Sequence, residues 1–317
     1  DLAPLTPEAA ATLVQDILQK VTDLPADLQH MIVNAAEGNP FYLEELIKMF
    51  IEDGVIVRGE TEWQVALGRL KRVSVPTTLV EVLEARLDSL PAAEKAALQR
   101  ASVVGRIFWD AAVNELQAEG ESQLQLTSAL PDLRHRELIF SRERTAFAGT
   151  KEYTFKHAIL RDVTYETVLL KRRRVYHAQA ARWLEAHSGG RLNEYTAAIA
   201  RHYQQGGENE LAAEWWQRAG EIAHRSSGFS VAQAAFEQAL ALLPEGAMKQ
   251  RVDVMIRLGS CLERLAQYPA ARQYLEMALT TAREMHDARA QAGALNGLNL
   301  VATRQGNFDD ARILGEE

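Results

Sequence analysis

The sequence predicts a mainly α-helical protein, with short, punctuated helices in its first part and long helical hairpins in its second. Three observations predict this. Seven of the nine prolines lie at or before Pro131, and the other two are Pro244 and Pro269. Proline breaks a helix interior because it lacks an N–H and its ring clashes with the preceding turn, so long helices belong after about residue 157. Apolar residues recur three and four apart through most segments, the spacing of one helix face. Beyond residue 172 the breaks at Gly189-Gly190, Gly206-Gly207, Gly228, Pro244-Glu245-Gly246, Tyr268-Pro269 and Gly306-Asn307 are short turn signals between helix-length stretches.

The elements follow in order. Residues 7–22 read as a helix: Thr6 is a capping residue, Pro7 suits the first position, and Leu13, Ile17, Leu18 and Val21 fall on one face. A second helix follows Pro25. A third starts at Asn39-Pro40 and carries Phe41, Leu43, Leu46, Ile47 and Phe50 as far as Gly54. Residues 55–67 read as a small hairpin, with Val55/Val57 and Trp63/Val65 alternating about Gly59. A helix with Leu79, Val82, Leu83 and Leu87 follows Pro76. Helices are expected at about 92–104, 109–118 and 122–136. A strand over Glu137–Arg142, a polar turn and a strand over Lys151–Phe155 follow, and then a helix from His157 to about Leu170. This is the helix-helix-helix-wing order of a winged helix. The domain boundaries expected are 1–90, 91–171 and 172–317.

Composition narrows the function classes. The chain has 317 residues, 47% apolar and 25% charged, with one cysteine, Cys261. An internal disulfide and a Cys-rich zinc site are therefore excluded, and a reducing, cytoplasmic setting is expected. No apolar run approaches the ~20 residues of a membrane helix, so no membrane partner is expected. The net charge of −8 argues against a dedicated nucleic-acid binder. The charge is uneven: residues 134–174 hold eleven Lys/Arg against five Asp/Glu, a net +6, which leaves −14 for the rest. None of the 19 glycines precedes a lysine, so there is no Walker A phosphate loop. There is no HExxH helix, no GxSxG elbow and no zinc-like histidine spacing. No self-contained catalytic set is expected, nor a metal site. The first residue is not Met and the last stretch ends within a repeat, so a piece of a longer protein is the expectation.

The second half is repetitive. Trp216, Gly220, Ala232, Phe236, Ala239 and Pro244 stand at the offsets of the tetratricopeptide pattern. Met255, Leu258, Gly259, Ala271, Leu275 and Ala278 repeat it, as do Leu295, Leu298, Ala311 and Gly315, with Asn299 in place of the glycine. Ala232, Ala271 and Ala311 lie 39 and 40 residues apart. That period exceeds the usual 34, and the extra residues are expected in the turns between helices. Trp216 is expected in the core, and Trp215 on the surface.

The most informative short motif is Gly38-Asn39-Pro40. Read locally, Gly38 ends one helix, Asn39 caps the next and Pro40 takes its first position. In context the order resembles the helical half of the STAND class of P-loop ATPases: a lid with a Gly-x-Pro motif, a winged helix, then a helical repeat array. Residues 76–91 resemble the link into the winged helix, Ala101–Phe108 its first helix, and Tyr153–Asp162 the stretch after the wing. The family often carries Met-His-Asp where this chain has Lys156-His157-Ala158. The fold this resemblance implies is a helical lid plus winged helix followed by a tetratricopeptide-like α-solenoid.

By that resemblance, Gly38, Asn39 and Pro40 would meet the base of a nucleotide and His157 its phosphates, with Lys156 and Arg161 adding positive field. The piece itself would hold no cofactor. ATP or ADP with Mg would be bound by the whole protein, through an upstream P-loop domain. A protein or small-molecule effector would bind the solenoid, and the resemblance allows self-assembly of the whole protein. A non-catalytic tetratricopeptide adaptor is the alternative, and a winged-helix transcription regulator a third reading. Lys171-Arg172-Arg173-Arg174 reads as solvated helix charge or a domain contact, because residues 123–134 carry basic residues only at their end.

Overall fold

The computed structural model describes residues 3–70, 76–118 and 126–317. It is mainly α-helical, with seventeen α-helices and five short strands among the described residues. Contacts divide the chain into two compact units. One comprises Asp1–Ser102, Ser128–Phe140 and Thr154–Thr167, and the other Val103–Thr127, Ser141–Tyr153 and Val168–Glu317.

In the first unit, α1 (Pro7–Ile17) is capped by the Thr6 hydroxyl, which accepts the Ala9 N–H. The helix stops five residues before the expected end. Beyond it the Lys20 carbonyl accepts the Trp63 N–H at 2.7 Å, and Val21 forms a parallel bridge with Trp63, so the chain is drawn out of the helix. α2 (Ala26–Ala36) ends through Glu37 and Gly38, both at positive φ. A Cβ on Gly38 would lie 2.4 Å from the Leu5 carbonyl oxygen, so only glycine fits this turn. α3 (Pro40–Glu52) then packs Leu43, Leu46, Ile47 and Phe50 against Leu28 and Ile32 of α2. Each such buried side chain contributes roughly 1.5–3 kcal/mol.

The hairpin β1 (Ile56–Arg58) and β2 (Trp63–Val65) pairs Ile56 with Val65 and Arg58 with Trp63. Its faces differ from the expected alternation. Val55 and Ile56 are both buried while Val57 is half exposed, because Val55 precedes the strand and its carbonyl accepts the Ala66 N–H. A one-turn α4 (Leu67–Leu70), not anticipated, follows. α5 (Leu79–Ser89) has a reciprocal cap: Thr78 Oγ accepts the Glu81 N–H, and the Glu81 carboxylate accepts the Thr77 N–H at 2.7 Å.

α6 (Ala92–Val104) leads into a strand, β3 (Ile107–Trp109), where the sequence reading placed helix. Gly105 at φ +148° turns the chain out of the helix, a backbone angle that side chains disfavour. α7 (Asp110–Glu115) follows. Of the helix expected over 122–136, residues 122–125 lie outside the described residues. The rest is a 3-10 turn at Leu126–Ala129 and then α8 (Leu130–His135), which starts where Pro131 permits. β4 (Ile139–Ser141) and β5 (Glu152–Phe155) complete a three-stranded sheet in the order β3-β5-β4, one strand more than the expected wing. α9 (Ala158–Glu166) ends four residues early, where the Thr167 hydroxyl donates to the Thr164 carbonyl at 2.6 Å.

The second unit contains four helical hairpins: α10 (Leu170–His187) with α11 (Leu192–Gly206), α12 (Asn209–Arg225) with α13 (Phe229–Leu242), α14 (Met248–Arg264) with α15 (Tyr268–Glu284), and α16 (Ala288–Arg304) with α17 (Phe308–Glu316). The extra residues of the long period are in the helices, not the turns. α12, α14, α15 and α16 have 17 residues each, and the turns Leu265–Gln267 and Met285–Asp287 only three. Each short turn reverses through one left-handed residue. Gly207, Ser227, Ala266, His286 and Gly306 hold that place, and the next N–H reaches back to a carbonyl five residues earlier.

The repeat pattern is explained by close approach. A Cβ on Gly220 would lie 2.7 Å from the Phe236 ring, and one on Gly259 2.6 Å from Leu275. In the third repeat the sizes invert: Asn299 replaces the glycine and Gly315 faces it, where a Cβ would lie 3.1 Å from the Asn299 amide nitrogen. Asn299 also donates to the Ala311 carbonyl at 2.6 Å. Trp216 packs against the repeat core while partly buried, as expected of a core position, but Trp215 is buried too, against the expectation of exposure. Trp216 also donates through Nε1 to Gln204 at 2.9 Å.

Candidate functional site

The start of α3 is preorganised by its own sequence. Asn39 Oδ1 accepts the N–H groups of Phe41 at 3.0 Å and Tyr42 at 3.3 Å, leaving the Pro40 ring exposed at the first helical position. The Tyr42 hydroxyl donates to the Pro76 carbonyl at 2.8 Å and ties this turn to the chain entering α5.

His157, 117 positions beyond Pro40, arrives at the same place. Its ring lies 3.7 Å from that of Phe41, centroid to centroid, tilted by 39°. It stands at the cap position of α9 but makes no capping bond. Its Nε2 is buried and has no hydrogen-bond partner. Burial, and then the neighbouring Lys156 charge, hold the imidazole below its ordinary range, which favours the neutral ring at pH 7. A neutral ring with a buried, unpaired nitrogen retains one hydrogen bond to make, and an unmade bond of this kind costs about 1–3 kcal/mol.

The expected positive field is modified. Lys156 is 3.1 Å from Glu137 and 3.7 Å from Glu44, so its charge is largely met from within the unit. Arg161 does not join the cluster. It donates to the Ser102 carbonyl at 2.8 Å, pairs with Asp162 at 3.0 Å and lies over the Tyr165 ring.

Glu137 is the residue that sequence reasoning missed. One carboxylate oxygen, Oε2, accepts from Lys48 at 2.7 Å and Lys156 at 3.1 Å. Those hydrogen bonds hold its carboxyl at about 2. Its backbone is left-handed, at φ +56°, in the turn that ends α8, where the Leu138 N–H reaches back to the Leu133 carbonyl at 3.0 Å. Behind it, Arg86 is buried between Glu45 and Glu52, with Glu52 at 3.0 Å, and also donates to the Arg136 carbonyl. Arg136 pairs with Glu94 at 2.8 Å. A cavity of about 170 Å³ opens beside Glu137, and Lys48, Arg58, Arg86, His135 and Arg136 are among its walls. Its partners lie 89 and 19 positions away, so no local motif marks Glu137.

The solenoid offers a second surface. α12 and α14 are joined by Gln217–Asp253 at 2.8 Å, Arg257–Glu221 at 3.4 Å and His224–Ser260 at 3.4 Å. A cavity of about 270 Å³ with Phe236 and Ile256 in its walls lies among these groups. Between α10 and α11 the buried His177 and His202 meet Nδ1 to Nδ1 at 2.9 Å. Lys171, Arg172 and Arg174 are exposed at the start of α10. Among the described residues no group of three or more His, Cys, Asp or Glu is placed to hold a metal ion. No described helix is long and apolar enough to cross a membrane.

No protein-family model matches the sequence, and no curated protein matches it. Several solved structures are similar to it at low level, among them the following two. A STAND protein with a tetratricopeptide repeat sensor from Pyrococcus horikoshii aligns with 12% identity and a TM-score of 0.31. That alignment covers 99% of this chain and 59% of the other. BtubC from P. vanneervenii aligns with 15% identity and a TM-score of 0.30, over 50% of this chain and 74% of its own. At such scores neither alignment bears on the site, and the architecture rests on the helices and contacts above.

Proposed function

We propose that this chain is the sensing half of a STAND-type nucleotide switch. The observation that carries the reading is the meeting of the Gly38-Asn39-Pro40 turn with His157 through Phe41, with one buried imidazole nitrogen left unpaired. The exposed Pro40 ring offers a rigid, flat contact for a base. The neutral His157 offers a hydrogen bond to a phosphate oxygen. The phosphates themselves would be cradled by a P-loop domain outside this chain, since the sequence has no Gly-Lys pair.

In this reading the lid and winged helix close over ADP together with that domain. An effector on the solenoid favours the open state, in which ATP with Mg is bound and the whole protein self-assembles. A ligand shifts such an equilibrium only by its differential affinity for the two states. Pro40 and His157 are the groups of this chain that would bind the closed state alone. By itself the chain should not hydrolyse ATP.

The test joins this chain to a P-loop domain and measures ADP affinity. Loss of one hydrogen bond and one packed ring is worth about 1–2 kcal/mol each. Pro40→Ala and His157→Ala should therefore each weaken ADP about five- to thirtyfold, with a smaller effect on ATP. Unchanged ADP binding in both variants would remove the reading. The alternative, a non-catalytic adaptor, is supported by the walled cavity among α12, α13 and α14. It predicts partner binding that is indifferent to nucleotide.

A further inference from the structure

We infer that the first unit contains a phosphate-binding site, built by Lys48 and Lys156 beside His157, and that the Glu137 carboxylate occupies it as a built-in competitor. The inference rests on the nucleotide reading above only for the biological source of the phosphate.

The geometry is that of an anion held by convergent cations. Lys48 on α3 and Lys156 before α9 reach the same oxygen of Glu137, at 2.7 and 3.1 Å. Two ammonium groups sharing one carboxylate oxygen repel each other, and Glu137 between them offsets that repulsion together with Glu45, 3.5 Å from Lys48, and Glu44, 3.7 Å from Lys156. A phosphate oxygen would satisfy the same donors, with charge-assisted bonds of similar length. His157, the next residue, carries a buried, unpaired Nε2 and lies within the field of Lys156 and Lys48. The cavity beside Glu137 adds Arg58, which is exposed and makes no ion pair among those described, whereas Arg86 and Arg136 already face Glu45, Glu52 and Glu94.

Glu137 also has what a displaceable group needs. Its side chain is about half exposed, so it has room to swing out. Glu44, 3.7 Å from Lys156, is placed to keep that lysine from being left without a counter-charge while Glu137 moves. The shared chemistry is a phosphate or pyrophosphate group, whether free or on a nucleotide.

The experiment titrates inorganic pyrophosphate and ADP separately into the whole chain at low ionic strength, by calorimetry and by the NMR signals of the His157 ring. The proteins are the native chain, Glu137→Gln and Glu137→Gln/Lys156→Gln. Removing the internal anion should tighten pyrophosphate about tenfold or more, the effect of one charge-assisted contact of about 1.4 kcal/mol. The His157 signals should move, and the second substitution should abolish the gain. Glu137→Asn, which tolerates the left-handed backbone better, is the check should the Gln variant fold poorly. Pyrophosphate and ADP binding alike, or ADP binding more tightly, each support the site and separate a free anion from a nucleotide source. No gain in either Glu137 variant, or a gain that survives loss of Lys156, overturns the inference. The effect of Pro40→Ala on the joined protein tests the nucleotide reading separately.

Discussion

The contact between Gly259 and Leu275 gives the sharpest stability prediction. Leu275 is buried, and a Cβ on Gly259 would lie 2.6–3.1 Å from three of its atoms. Retreat is blocked, because on the next helix a Cβ on Gly297 would lie 2.7 Å from the same side chain. Overpacking of this kind costs about 1–3 kcal/mol, while replacing a mid-helix glycine by alanine gains about 1 kcal/mol of propensity. Gly259→Ala should therefore destabilise the array by about 1–2 kcal/mol. Leu275→Ala alone should cost about 2–5 kcal/mol by leaving a cavity. In that background the clash is gone, and Gly259→Ala should become stabilising by up to about 1 kcal/mol. The sign reversal amounts to a coupling of about 2–3 kcal/mol. Urea unfolding with hydrogen exchange across α14–α16 measures it, because repeat arrays need not unfold in one step. An effect of Gly259→Ala that is the same within about 0.5 kcal/mol in both backgrounds would refute the packing account.

Three further outcomes are expected. Ala266→Gly and His286→Gly, at left-handed turn positions, should each stabilise by about 0.5–1 kcal/mol. The relief of backbone strain exceeds the gain in unfolded-chain entropy, and a lowered urea midpoint for both would contradict this. Acid should act through Glu137: its carboxyl titrates at about 2 folded against 4.5 unfolded, so its contribution is complete above 4.5 and is lost as pH falls toward 2. The stability difference between the native chain and Glu137→Gln should shrink over that window, and a difference independent of pH would sink the ion-pair account. Burial pushes the Cys261 thiol up to about 11, so a thiol reagent should label it at pH 7–8 only as fast as α14 opens, and prompt labelling of the folded chain would contradict its burial.

Much of the fold is legible because its determinants are local. Thr6-Pro7 and Asn39-Pro40 start helices where the sequence places them, since the capping oxygen and the proline ring act within one turn. The expectations that fail do so where a distant partner intervenes. α1 stops at Ile17 because Trp63 claims the Lys20 carbonyl. Trp215, on α12, is buried while Trp216 also packs on the core, because which faces of a helix are covered depends on the helices that flank it. The long repeat period reads as longer turns, yet the turns reverse in three residues through a left-handed conformation that Ala266 and His286 adopt, residues with no glycine-like signature.

The same division holds at the candidate site. The sequence by itself determined the helical class and the repeat offsets, because spacing and residue type carry that information, whereas the roles proposed for Gly38-Asn39-Pro40 and His157 rest on the family resemblance. Only the tertiary structure decided that Phe41 and His157 touch, that Arg161 is engaged elsewhere, and that Glu137 lies between Lys48 and Lys156. Those facts depend on segments up to 116 positions apart folding to within ring or hydrogen-bond distance. Charge pairing acts over a few ångströms in space and is indifferent to distance along the chain.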